Sequence, residues 1–243
     1  MNFTSTLLER TKQFASEVDS LEFQFTGVIY NPLSYAWEMH KAYLTQYVHE
    51  QPEIYFMGMN PGPFGMTQSG VPFGEVNLVK TWMGLSYPIG KPPKEHPKRP
   101  ILGLETTRSE VSGYRLWSLM KERYTSAHSF FKTHAVMNYC PLVFVDEGPT
   151  GKNIIPEKLV KEDRLILDQV CDAYADDMIS LIKPKALVGI GRYAERKLEE
   201  VTQRLKIDTP VCSILHPSPS NPQANRGWAE KVTAQLIEAH LWE

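Results

Sequence analysis

The chain has 243 residues, 42% of them hydrophobic, enough to bury a sizeable core in one large domain or two small ones. Its net charge of -2 at pH 7 excludes a protein that coats nucleic acid through bulk electrostatics, though not one with local basic patches. No apolar run is long enough to span a bilayer, and the opening MNFTSTLLERTKQF lacks the blocks of a signal peptide. A single intracellular domain over residues 1–243 is expected. Cys140, Cys171 and Cys212 are too few and too widely spaced for a disulfide framework or a four-thiolate metal site, and read as small buried residues.

In chain order, Leu7, Leu8, Phe14 and Val18 recur at helical spacing and predict an amphipathic helix over 4–19. After a Tyr30-Asn31-Pro32 turn, SYAWEMHKAYLTQYV reads as a second helix whose aromatic residues belong to the core. EIYFMGMN (53–60) reads as a strand. The glycine- and proline-rich stretch 58–76, GMNPGPFGMTQSGVPFGEV, cannot continue it and reads as a rigid binding loop.

A helix over 75–83 follows, and then the basic loop KPPKEHPKRP. There Lys91, Lys94, His96, Lys98 and Arg99 read as a solvated loop at least as readily as a phosphate contact. A helix over 109–124 starts at a capping serine, and HAVMNYCPLVFV reads as one strand. Further helices are expected over 156–182 and 192–205 and in WAEKVTAQLIEAHL, with strands at KALVGIG and PVCSILHPSPS.

Four short apolar runs alternating with helices predict a parallel sheet covered on both faces. Ligands bind beyond the carboxyl ends of such strands. Asn60, Asn138 and His216 each follow a strand, so all three are expected on one rim. Singly, Asn60 also reads as a turn opener, Asn138 as a capping residue and Phe73 as plain packing. His216, at a strand end before a stiff polar loop, reads as functional. No Ser-His-Asp signature, P-loop, dinucleotide fingerprint or metal-ligand spacing is present.

GMNPGPFGMTQSGVPFGEV and HPSPSNPQANRGW resemble the two signature motifs of the single-strand-selective monofunctional uracil-DNA glycosylases, a branch of the uracil-DNA glycosylase superfamily. YNPLSYAWEMH, EHPKRPILGLE, SEVSG and NYCPL extend the resemblance over about 30–228. It implies a three-layer α/β/α fold with a central four-stranded parallel sheet. It also implies a DNA substrate containing uracil or an oxidised pyrimidine, and no cofactor.

By that resemblance, catalysis falls to Asn60, which positions water, and His216, which stabilises the departing base. Phe73 stacks on the flipped base and Asn138 reads its edge, its oxygen accepting from N3-H and its NH2 donating to O4. Met59, Gly62 and Met66 leave room at the base's 5-position, implying acceptance of 5-hydroxymethyluracil. Ser218, Pro219, Ser220, Asn221, Gln223, Asn225 and Arg226 are the expected DNA-binding residues.

The chain departs from the family at Ser220, where arginine is common, and this implies weaker holding of a flipped-base gap and a stronger relative preference for single strands. A non-catalytic damage-binding module and a nucleoside-type hydrolase are the alternative functions. No membrane and no obligate protein partner is implied, and a monomer is expected. The compact ends favour a bacterial cytoplasm over a eukaryotic nucleus.

Overall fold

A computed structural model describes residues 2–243. Four parallel strands form the central sheet: β2 (Ile54–Gly58), β3 (His134–Asn138), β6 (Ala186–Ile190) and β7 (Val211–Ile214), in the order β3-β2-β6-β7. Ile54 lies between His134 and Ala186, and Leu187 between Tyr55 and Val211, so β2 and β6 are interior strands, and both are buried at every position. That burial explains the unbroken apolar runs EIYFM and ALVGI, which carry no alternation.

The order fixes the layers. From β2 the chain moves outward to β3, but from β3 it crosses back to β6 and on to β7, and right-handed crossovers then place the connecting helices on opposite faces. α8 (Lys161–Ile182) and α9 (Arg192–Leu205) cover one face, with α1 (Phe3–Asp19) packed on α8. α5 (Val76–Thr81), α6 (Val111–Arg123) and α7 (Ala127–Phe131) lie in the other crossover, and α10 (Trp228–Glu238) packs against α6 and β7. β2 and β6 are neighbours whose following connections leave in opposite directions, which is where a parallel sheet opens a crevice.

Several boundaries differ from the sequence expectations. HAVMNYCPLVFV is two strands. Past Asn138 the chain stays beside the end of β2, with Tyr139 N donating to Gly58 O and Cys140 N to Met59 O, both at 2.9 Å. It then turns at Pro141 into β4 (Val143–Asp146). β4 pairs antiparallel with β1 (Gly27–Tyr30) and β5 (Asn153–Ile154) in a second, small sheet.

The second helix is broken in two. Asn31 caps the short α2 (Pro32–Tyr35) by accepting from Leu33 N, and Ala36 leaves helical geometry before α3 (Trp37–Tyr47). Stretch 58–76 contains a turn of helix, α4 (Met66–Ser69), and 156–182 begins as a 3-10 turn before α8. The cap of α6 is Glu110, whose carboxylate accepts from Ser112 N and Gly113 N, and not Ser109. A carboxylate reaches both orphan amides of that first turn and suits its positive end.

Tyr43, Tyr47, Trp117, Phe130 and Phe131 pack together in the core, as the aromatic richness of the second helix implied. The Tyr43 hydroxyl donates to Val136 O at 2.7 Å, satisfying its only polar atom. Cys140 and Cys171 are buried and Cys212 half-buried, all as free thiols. No helix among the described residues is long and apolar enough to cross a membrane.

His40 and His134 are buried, and burial pushes both imidazoles down to about 4. A depressed histidine favours folding only while neutral, so its contribution is complete above the unfolded pKa near 6.5 and is lost as pH falls toward 4. Between those values stability should fall by roughly 1 kcal/mol per pH unit for each histidine. Urea unfolding from pH 7 to 4.5 checks this: His134→Gln should flatten the slope by one histidine's share, and an unchanged slope would contradict it.

Candidate functional site

A cavity of about 210 Å³ opens beyond the carboxyl ends of β2, β3 and β7. Met59, Asn60, Gly62, Met66, Phe73, Asn138, His216, Ser218 and Pro219 line it, so residues more than 150 positions apart in sequence meet at one point. The rim expected from the strand ends therefore borders a single cleft.

Asn138 is the last residue of β3. Among the described residues its Oδ1 is buried without a partner and its Nδ2 reaches only the Met66 sulfur at 3.3 Å, a weak acceptor. An orphaned buried carbonyl is costly, and the cost is removed when a ligand supplies a donor.

Phe73 sits in the left-handed region at φ 52°, a rare conformation for an aromatic residue. Its carbonyl accepts from Trp117 Nε1 at 3.0 Å and Glu75 N at 2.7 Å. α6 abuts it so closely that a Cβ on Gly113 would stand 1.9 Å from Phe73 O. Gly58 plays the same part beneath the ring: a Cβ there would stand 2.5 Å from both Phe73 Cε2 and Asn138 Oδ1. Phe73 and Asn138 are thus packed onto the same bare stretch of β2 backbone.

Asn60 lies two residues beyond β2. Its Nδ2 donates to Leu142 O at 3.2 Å, which the detour of the chain after β3 brings beneath it, and to Pro61 O at 3.4 Å. Those bonds fix the amide so that Oδ1, which accepts nothing among the described residues, is free to orient a small donor.

His216 is half-buried and its pKa is lowered by burial. The Ser218 N-H donates to its Nδ1 at 3.1 Å, so Nδ1 is an acceptor and the proton of the neutral ring is on Nε2. Gly191 after β6, at φ 92°, gives the ring its place, since a Cβ there would come within 3.1 Å of the His216 Cβ. The site therefore offers a neutral N-H donor, a fixed amide oxygen, a second amide with an orphaned acceptor, and an aromatic face.

Of the expected DNA-binding residues, only Ser218 and Pro219 line the cavity. Ser220 is exposed at the tip of a turn closed by Asn221 N to Ser218 O at 3.0 Å, its hydroxyl 2.7 Å from that of Ser218. Asn221 is half-buried and braces the turn, donating to His216 O at 3.5 Å. Gln223, Asn225 and Arg226 are exposed beyond it.

Further contributors lay outside the expected site residues: Glu110, Ser112, Asn153 and Ile155, which line the cavity, and Arg115. Glu110, whose carboxyl is pushed up by burial, faces Gly62 with Oε1 3.4 Å from where a Gly62 Cβ would stand. Asn153 Oδ1 is a second buried acceptor without a partner among the described residues. Arg115 straps the histidine loop to α6, donating to Pro217 O at 2.8 Å and Asn225 Oδ1 at 2.9 Å. A charged residue in a helix and an asparagine in a two-residue strand carry no signal of such roles in sequence.

Residues 45–237 match the uracil-DNA glycosylase superfamily. The chain belongs to that superfamily. Within it, the chain is 43% identical over 235 residues to the single-strand selective monofunctional uracil-DNA glycosylases of Bos taurus and Mus musculus. Those matches span 96% of this chain and 86% and 84% of the respective relatives. Among solved structures, wild-type Pedobacter heparinus SMUG2 superposes with a TM-score of 0.67, covering 99% of this chain and 97% of that one at 19% identity. That likeness supports the fold, while the mammalian relatives carry the closer family kinship.

Proposed function

We propose that the chain is a monofunctional DNA glycosylase that hydrolyses the N-glycosidic bond of uracil in single- and double-stranded DNA. The observation that carries the proposal is the convergence of Asn60, Phe73, Asn138 and His216 on one pyrimidine-scale cavity, in a chain so closely related to named uracil-DNA glycosylases. A base must leave the helix to enter such a cavity. Phe73 supplies the face on which it stacks. Asn138 Oδ1 accepts from uracil N3-H while Nδ2 donates to O4. Cytosine reverses this pattern and leaves buried polar groups mispaired, a penalty that discriminates strongly.

As the bond breaks, negative charge gathers on the uracil and positive character on the sugar. His216, neutral with its proton on Nε2, donates to uracil O2 as that charge develops. Asn60 holds the attacking water through Oδ1. An amide is a weak base, so Asn60 contributes by orientation and the leaving group must be stabilised elsewhere. Among the described residues no lysine lines the cavity, which fits hydrolysis without a Schiff base or lyase step.

Acceptance of 5-hydroxymethyluracil is part of the same proposal. The gap left by the missing side chain of Gly62 is bounded by Met59, Met66 and Glu110, and the Glu110 carboxylate can accept from a hydroxymethyl O-H. We read residues 1–243 as one domain, supported by a buried cluster that runs from Leu7 to Trp242. We further read the protein as a monomer that acts on DNA inside the cell, in the cytoplasm of a bacterial host or the nucleus of a eukaryotic one, without an obligate protein partner.

The test is a single-stranded oligonucleotide carrying one uracil, incubated with the protein and then treated with alkali. Alkali-dependent breaks at the uracil are expected, without breaks before alkali. Binding without breaks would indicate the damage-binding module, and cleavage of free deoxyuridine alone the nucleoside hydrolase.

Ser220 tests strand preference. Ser220→Arg should raise the rate on duplex uracil relative to single-stranded uracil by several-fold, because a long cation can occupy the gap left by the flipped base. An unchanged ratio of the two rates would show that this turn does not set the preference.

A further inference from the structure

We infer that Arg99 and Arg108, stacked on Phe64, form a binding site for DNA backbone phosphate beside the base cavity. The inference rests on the glycosylase proposal for the identity of the strand, and on its own geometry for the site. Phe64 directly follows Pro61, Gly62 and Pro63, which line the cavity. The guanidinium carbons of Arg108 and Arg99 stand 3.8 and 5.3 Å from the centroid of its ring.

Neither arginine pairs with a carboxylate among the described residues. Arg99 donates from Nη1 to its neighbour Lys98 O, and its Nε is buried without a partner among the described residues. Two uncompensated cations gathered on one ring repel each other, and an anion bound to both turns that repulsion into attraction.

The basic loop is also held in place. Gln68, buried in α4, donates from Nε2 to Pro63 O at 3.2 Å and Pro100 O at 3.1 Å, and its Oε1 accepts from Leu102 N and Gly103 N. One side chain thereby ties the cavity wall to the loop that carries Arg99. Tyr30 adds a second tie, donating to Arg99 O and accepting from His96 N, both at 2.8 Å. The wider basic cluster does not act as a unit: Lys91 is engaged with Ile101 O and Glu95, and His96 is buried against Gly148 O. The cluster that read from sequence as either a phosphate contact or a solvated loop thus divides, and Arg99 takes the first role.

A guanidinium presents paired N-H donors that match phosphate oxygens, and stacking on an aromatic ring leaves that edge free. A strand whose flipped base fills the cavity must carry its flanking phosphates past the loop 61–64. The arginines add affinity and register there, without reading sequence.

The experiment measures binding of a fluorescent single-stranded oligonucleotide bearing one uncleavable 2′-fluorinated deoxyuridine, across a range of salt concentrations. Arg108→Ala and Arg99→Ala should each weaken Kd about 5- to 10-fold at low salt. Each should also reduce the slope of log affinity against log salt by about 0.7, the loss of one phosphate contact on a single strand. Arg108→Lys should keep the slope.

Arg108 is exposed, so its replacement tests the site even if Arg99→Ala perturbs the half-buried loop. Parental affinity and slope in Arg108→Ala would overturn the site. If the parent protein releases uracil and the slopes do not move, the phosphate site fails while the glycosylase stands. If the slopes fall but no uracil is released, the strand-binding site stands and the glycosylase fails.

Discussion

His216→Ala should lower the single-turnover rate of uracil release by about two to three orders of magnitude, the usual cost of removing one preorganised donor to a developing anion. The loss should fall on the rate at saturating DNA rather than on KM, because the Nε2-H bond strengthens only as the base departs. Asn60→Ala should cost a comparable factor, since it removes the fixed amide oxygen that orients the water. The double variant should lose less than the product of the two, because both act on one transition state. Rapid-quench kinetics with each variant in excess over oligonucleotide checks this. A His216→Ala rate within threefold of the parent would remove the imidazole from the mechanism.

Gly58→Ala should be as damaging without removing any polar atom. The added Cβ would stand 2.5 Å from the Phe73 ring and from Asn138 Oδ1, where about 3.4 Å is ordinary contact, so the ring, the amide or the strand must move. β2 is an interior strand paired on both sides, which leaves the two site residues as the parts that yield. We expect uracil release to fall about a hundredfold and stability to fall by about 1–3 kcal/mol. Kinetics alongside urea unfolding separates these effects. A variant as unstable as predicted yet fully active would show that Phe73 and Asn138 need not sit where the glycine lets them.

Much of this architecture was legible in sequence because burial on both faces leaves unbroken apolar runs. EIYFM, HAVM, ALVGI and VCSIL are the four strands of the parallel sheet, and the residues just past three of them line the cavity. The resemblance of the glycine-proline and histidine motifs supplied the chemistry that position alone left open.

What escaped has physical causes. The small sheet of β1, β4 and β5 is built from strands of two to four residues, too short to show a period. HAVMNYCPLVFV conceals a change of sheet behind continuous hydrophobicity, because both halves are buried. Glu110 looked like part of an ordinary helix start, yet it caps α6 and walls the cavity at once. Gln68 and Arg115 act through long-range hydrogen bonds to loops 32 to 110 residues away, and no local pattern marks such partners.

The central claim is that the cavity takes a flipped uracil and the protein cuts it from its sugar with water. The most direct measurement is mass spectrometry of the small-molecule products when the protein acts on a single-stranded oligonucleotide containing one deoxyuridine in isotopically heavy water. The account predicts free uracil, one for each abasic site, with the heavy oxygen on the sugar and no strand cleavage. Release of deoxyuridine or its nucleotide, or no released base at all, would contradict it.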